Sequence, residues 1–255
     1  MPSKKRNPIR MAVVGLGRAG WDIHISAIRG RTDFILTDVI DVEKPRLDEA
    51  QAEFGCRTHR SFPSFLRHND AELVVVATQS HDHARQSRQA LKAGLHVLCE
   101  KPMATSLRQA DSVIAQAEKS PGIFTVHQSA RLDPGFIHVQ EVIRSGVLGK
   151  VFQIRRGGYS YARRNDWQTL RKYGGGLLNN QGVHFLDQVC QLLDSPASDV
   201  WGDLKQVIHP GDADDHVKVA VRGESGMVVE VEVTYACALP LPAWVVMGSR
   251  GTLVS

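Results

Sequence analysis

The sequence predicts an α/β protein in two domains: a doubly wound parallel sheet in residues 1–130, then an α+β domain with a largely antiparallel sheet in residues 131–255. Two observations carry this. From Arg10 to Val126 short apolar runs alternate with helical patterns, the texture of parallel strands joined by crossover helices. Beyond about Arg131 the solid runs give way to residue-by-residue alternation, as in strands with one wet face. A chain of 255 residues, 42% hydrophobic and 23% charged, is long enough for one large core or two modest ones.

In chain order, Met11 to Val14 reads as the first strand, and Trp21 to Ile28 lies in the helix after it. Ile35 to Ile40 is a second strand ending at Asp41, and Arg46 to Phe54 is a helix closed by Gly55. Leu73 to Ala77 is almost uniformly apolar, as a strand buried on both faces requires. Arg85 to Ala93 is a helix stopped by Gly94, His96 to Cys99 a strand, and Ser106 to Glu118 a helix.

In the second domain Val217, Val219 and Val221 alternate with Lys218, Ala220 and Arg222. After a turn at Gly223 to Gly226, Val229, Val231 and Val233 alternate with Glu230, Glu232 and Thr234, which makes an antiparallel hairpin. Val151 to Arg155, Trp201 to Ile208 and Trp244 to Met247 read as further strands, with a helix from Leu177 to Leu193 packed across them. Gly251 to Ser255 reads as a strand just begun, so the expectation is that this domain is cut short.

The run Gly15-Leu16-Gly17-Arg18-Ala19-Gly20 follows the first strand directly and opens a helix. In this Rossmann context each glycine has a physical reason: Gly15 for the tight turn, Gly17 for backbone approach to a pyrophosphate, Gly20 for close packing of helix on strand. The anion sits at the helix N-terminus, among free amides and the positive end of the dipole. Asp41 is expected to take the ribose hydroxyls, which favours NAD; Lys44 and Arg46 close behind temper that preference and keep NADP as the alternative. Thr78 and His83, in the segment 77–83 after the apolar strand, are expected on a loop lining the cofactor. His81, Asp82 and His83 lack a third ligand at metal-binding spacing, so no metal is expected.

Glu100-Lys101-Pro102 ends the next strand at the same sheet edge, toward the nicotinamide half of the site. Far along the chain, Asn180, His184 and Asp187 have i, i+4, i+7 spacing and share one helical face. The three glycines 174–176 before them favour close approach of backbone to a ligand or cofactor.

These motifs together resemble the Gfo/Idh/MocA family of NAD(P)-dependent sugar and cyclitol oxidoreductases: the early glycine fingerprint, Glu100-Lys101-Pro102, Arg131-Leu132-Asp133-Pro134, and the block from Gly174 to Asp187. The resemblance spans nearly the whole chain. It implies that Lys101 polarises or orients the reacting hydroxyl and that His184 is the acid/base, while the nicotinamide takes a hydride from carbon. An imidazole with an ordinary pKa of about 6.5 suits that task at neutral pH. Asn180 departs from the family's common pattern, in which an aspartate precedes the histidine by one turn. Some branches acting on nucleotide sugars resemble the Asn-Gln-Gly-x-His form. Arg131, Arg163, Arg164 and Trp167 are the candidate substrate contacts, Trp167 by stacking on a sugar face; a solvated basic loop with one aromatic anchor is the alternative for 163–167. Two other functions stay open: an NAD-dependent glycosidase, and a non-catalytic nucleotide-binding relative.

The remaining features exclude more than they assign. A net charge of +4, from 31 basic and 27 acidic residues, is too weak and dispersed for nucleic acid. Lys4, Lys5, Arg6 and Arg10 read as a solvated terminus. Four scattered cysteines without C-x-x-C spacing fit a reducing cytoplasm. No apolar stretch reaches the roughly 18 residues of a membrane span. A homo-oligomer through the C-terminal sheet is expected, because an apolar face of that sheet would need covering.

Overall fold

The computed structural model describes residues 7–255, so Lys4, Lys5 and Arg6 lie outside the described residues. The chain divides into two compact units, one ending at His127 and the other starting at Gln128.

The first unit is built on β1 (Ile9–Val14), β2 (Phe34–Ile40), β3 (Arg57–His59), β4 (Leu73–Val76), β5 (His96–Glu100) and β6 (Phe124–His127). All pair in parallel in the order β3-β2-β1-β4-β5-β6. The order reverses between β1 and β4, and ligands of such sheets bind outside the strand ends at that reversal. Val74, Val75 and Val76 are fully buried, as a solid apolar run in a covered central strand should be. The crossovers are α1 (Ser26–Ile28), α2 (Lys44–Phe54), α3 (Phe62–Arg67), α4 (Ser80–Lys92) and α5 (Leu107–Ala117).

Four features differ from the sequence expectation. The helix after the glycine run is a π-helix over Ala19–Ile25 that tightens into α1. α4 starts at Ser80, so His81 and His83 lie on a helix rather than a loop. β3 and α3 were not anticipated: β3 is only three residues long, and α3 is signalled mainly by its cap, where the Ser61 hydroxyl accepts from the Ser64 amide.

The second unit opens with a 3-10 turn, Ser129–Leu132, and α6 (Pro134–Arg144). Sequence reasoning overlooked α6, although Asp133 caps it by accepting from the Phe136 amide and Pro134 fills its first turn, a standard helix start. Its mixed sheet has β7 (Val151–Tyr159), β8 (Ala197–Lys205), β9 (His216–Gly223), β10 (Val228–Thr234), β11 (Trp244–Gly248) and β12 (Thr252–Val254), ordered β12-β11-β7-β10-β9-β8. Only β10 and β7 pair in parallel. The expected 177–193 helix is a π-helix over Leu178–Gly182 that continues as α7 (Val183–Cys190).

In the β9–β10 hairpin Val219 and Val221 face Val231 and Val229 on the buried side. The opposite side is not the apolar face anticipated. Arg155 pairs with Glu230 at 3.3 Å and Lys218 with Glu232 at 3.2 Å on that side, and its exposed apolar surface includes Trp201 of β8, which sits opposite Ala220. Among the described residues no helix is long and apolar enough to cross a membrane.

Ile154, in the centre of β7, is fully buried within the second unit's core. Ile154→Ala is expected to lower the unfolding free energy by about 2–5 kcal/mol through lost transfer energy and a residual cavity. Urea unfolding of wild type and variant measures this, and a change below about 1 kcal/mol would show that the core closes around the void.

Candidate active site

At the end of β1 the glycine run meets the end of β4. Gly15 has φ +87°, and a Cβ there would fall 2.6 Å from the Ala77 carbonyl oxygen. A Cβ on Gly20 would fall 1.9 Å from the Gly15 oxygen, whereas one on Gly17 would meet nothing within 4 Å. Gly15 and Gly20 therefore serve the chain's own packing, and Gly17 leaves its backbone open to an incoming group. Arg18 beside it is exposed and Ala19 half-buried.

Asp41, just past β2, anchors the same turn. Its Oδ2 accepts from the Leu16 amide at 2.6 Å and its Oδ1 from the Glu43 amide at 2.9 Å. A carboxylate has about four acceptor positions, so capacity for hydroxyls remains. Of the two cations expected near it, Arg46 lies 3.6 Å from Oδ2, while Lys44 is turned to Asp48 at 2.6 Å.

Thr78 donates its hydroxyl to Gln86 at 2.7 Å. His83, expected on a lining loop, is buried on the first turn of α4, with Nδ1 2.7 Å from the Pro102 carbonyl and Nε2 2.9 Å from that of Thr78. It ties the segment after Lys101 to the end of β4.

Glu100 closes β5 and is buried. Its Oε1 accepts from His24 Nε2 at 2.9 Å and from His127 Nδ1 at 2.8 Å, and its Oε2 from the Lys101 amide at 3.2 Å. The π-helix brings His24 to this point by widening one turn, a device common at functional sites. Burial opposes ionisation of Glu100, but the two imidazoles outweigh it and hold the carboxyl well below its usual range. The bond to Glu100 in turn raises His127. The trio has the residue types of a metal site. With Glu100 ionised, each ring nitrogen that faces it donates a hydrogen bond when it carries the proton.

In the second unit His184 stands on the first turn of α7. The start of its helix is held by Asp214, whose Oδ2 accepts from the Leu178 amide and whose backbone oxygen accepts from that of Leu177, both at 2.8 Å. Gly176, at φ +108°, makes room: a Cβ there would fall 2.3 Å from the Asp214 carboxylate. At Gly175 it would fall 2.5 Å from the Gln168 oxygen. The crowding at these glycines thus comes from the chain itself, where a ligand or cofactor was expected.

A second set of ties runs from the 3-10 turn to α7. Arg131 makes a bidentate pair with Asp187 at 2.9 and 2.6 Å, and Gln188 donates to the Ala130 oxygen at 2.8 Å. Gln128 donates to the Val183 oxygen at 3.2 Å and accepts from His184 Nδ1. His184 and Phe185 border a pocket of about 370 Å³ that also reaches Arg156. That guanidinium lies 3.7 Å from the Phe185 ring centroid and 4.8 Å from that of Trp244, and burial pushes its pKa down to about 10, so it stays charged at neutral pH. Asn180 lies in the π-helical segment rather than on a regular α-helical face. Arg164 is paired with Asp166 at 2.6 Å, Arg163 is exposed, and Trp167 is half-buried in a 3-10 turn.

Sequence reasoning missed Gln128, Asp214, His24 and His127. Asp214 carried a weak signal in the acidic cluster Asp212-Ala213-Asp214-Asp215. Gln128 carried none beyond its place before Arg131.

Residues 9–128 match the NAD-binding Rossmann fold of the GFO/IDH/MocA oxidoreductase family, and residues 136–254 match the GFO/IDH/MocA C-terminal domain. The chain belongs to this family. Among its relatives, myo-inositol 2-dehydrogenase of Thermotoga maritima is 26% identical over 86% of this chain and 66% of its own length. D-glucoside 3-dehydrogenase of Escherichia coli is 29% identical over 75% of this chain and 56% of its own. The WlbA dehydrogenase of Bordetella pertussis, solved with NADH and UDP-GlcNAcA, superposes with a TM-score of 0.88 at 25% identity, covering 99% of this chain and 75% of that one. The protein is thus an NAD-dependent oxidoreductase, and its glycine turn fits the dinucleotide, since the open backbone at Gly17 is where a pyrophosphate needs to approach.

Gly17→Ala is expected to change stability by less than about 0.5 kcal/mol while weakening NAD binding about tenfold or more. Gly20→Ala should instead destabilise by about 1–3 kcal/mol through overpacking. Calorimetric titration with NAD and thermal unfolding separate the two, and equal effects in both variants would contradict the division of roles.

The Glu100–His127 contact also sets a pH dependence. The lowered carboxyl contributes stability above its ordinary 4.5, lost as pH falls through its folded value; the raised imidazole contributes below its ordinary 6.5, lost as pH rises through its folded value. The melting advantage of wild type over Glu100→Gln should therefore peak between pH 4.5 and 6.5 and shrink at higher pH. An advantage that grows above that window would show that His127 is not the partner.

Proposed function

We propose that this protein oxidises a secondary hydroxyl of a sugar, cyclitol or nucleotide-sugar-like substrate. The observation that carries the reading is His184, bonded through Nδ1 to Gln128 beside a pocket, on a helix whose start Asp214 holds, in a chain that also has the dinucleotide turn. The names of the inositol and glucoside dehydrogenases and of WlbA support a polyhydroxylated substrate.

In this reading NAD, when bound, supplies the hydride acceptor. His184 removes the hydroxyl proton, and Lys101 lends a fixed positive charge that stabilises the oxygen as it loses that proton. Glu100, by accepting from the Lys101 amide, fixes the backbone that carries this lysine. Trp167 and the exposed Arg163 are the substrate contacts, whereas Arg131 and Arg164, already paired with Asp187 and Asp166, shape the site from behind. Asn180, in the π-helical segment that precedes α7, contributes an amide and no charge to the site. Self-association uses the outer sheet surface around Trp201.

The test is NADH formation from a panel of myo-inositol, D-glucosides, uronates and UDP-sugars. At least one member should be oxidised. Lys101→Ala and His184→Ala should each lower kcat by about 10²- to 10⁴-fold with NAD affinity retained. Silence across the panel, or variants as active as wild type, would overturn the assignment.

A further inference from the structure

Gln128 is the first residue of the second unit, and its amide has one orientation. Nε2 donates to the Val183 carbonyl at 3.2 Å, which leaves Oε1 facing His184 Nδ1 within hydrogen-bonding reach. An amide oxygen accepts and cannot donate, so Nδ1 carries the proton. In the neutral ring the lone pair then resides on Nε2.

The amide is itself held in place. The Gln128 backbone oxygen accepts from the Arg131 amide at 3.1 Å at the start of the 3-10 turn Ser129–Leu132, and the Arg131–Asp187 and Gln188–Ala130 contacts tie that turn to α7, which carries the imidazole. Acceptor and ring therefore move together. The partner is also uncharged: a carboxylate at this position would favour the imidazolium and raise its pKa, whereas an amide fixes tautomer and ring direction without that effect.

We propose that Gln128 is a positioning residue for the oxidation: it holds His184 in the Nδ1–H tautomer and so makes Nε2 the atom that takes the hydroxyl proton. This rests on the assignment of His184 as acid/base, but the tautomer is measurable without any substrate.

The experiment is two-dimensional imidazole NMR of the full chain labelled with nitrogen-15, at a pH where neutral rings dominate, with His184 assigned by the signals that His184→Gln removes. Wild type should show the Nδ1–H form. Gln128→Glu, which keeps an acceptor oxygen, should keep that form and move the titration midpoint upward by about one pH unit or more. Gln128→Ala should give a mixture of tautomers. An Nε2–H ring in wild type, or a ratio that Gln128→Ala leaves unmoved, overturns the proposal whatever the substrate proves to be.

A kinetic arm uses whichever panel member is oxidised. Gln128→Ala should lower kcat about tenfold or more with KM for NAD unchanged, and Gln128→Glu should shift the acid limb of the kcat/KM profile to higher pH. Normal turnover in a variant whose tautomers are mixed overturns the catalytic role of Gln128 and points to a failure of the His184 assignment.

Discussion

The buried, ionised carboxylate of Glu100 is the interaction on which the nucleotide-binding unit depends. One oxygen joins the π-helix through His24 to β6 through His127, and the other takes the amide of Lys101. A charge removed from water is costly unless donors surround it, so losing either imidazole would leave the carboxylate only partly compensated. The same contacts fix where the chain turns after β5, and His83 holds that turn from its other side through the Pro102 carbonyl. The backbone position of Lys101 thus follows from an electrostatic requirement one residue earlier.

The second unit solves a related problem with neutral contacts and two carboxylates set back from the imidazole. A helix start has unpaired amides, and the Asp214 side chain satisfies one of them from a distant loop. That approach is open only because Gly176 lacks a Cβ. Arg131 then ties the helix to the 3-10 turn through Asp187, three residues beyond His184. Between these ties stands His184 with an amide on Nδ1. Both glycine-led helices begin as π-helices, one carrying His24 and the other lying just before His184.

Much of the fold was legible in the sequence because its causes are local. Solid apolar runs mark strands covered on both faces, as at Val74 to Val76, and alternation marks the half-wet hairpin of β9 and β10. Of the elements that escaped notice, β3 has only three residues, whereas α6 has eleven, carries Phe136 and Val139 on its buried side and starts with the Asp133-Pro134 signal, all of it legible locally. The candidate site was legible as a set of residue types in order, at Gly15 to Gly20, Glu100 to Lys101 and Gly174 to His184. The partners of those residues were not. Asp214 lies 36 residues from the amide it caps and Gln128 lies 56 from the ring it orients, and no periodicity links such pairs.

By itself the sequence determined the sheet classes and the dinucleotide turn, since burial and backbone conformation impose those residue types locally, and it marked Lys101 and His184 as candidates through the order of their motifs. Tertiary structure alone decided what the polar groups do. Asp41 braces the glycine turn, the glycines at 175 and 176 admit the chain's own atoms, and an amide from a remote turn dictates the protonation pattern of an imidazole. The physical reason is that a hydrogen bond depends on distance and direction in space, to which separation along the chain is blind.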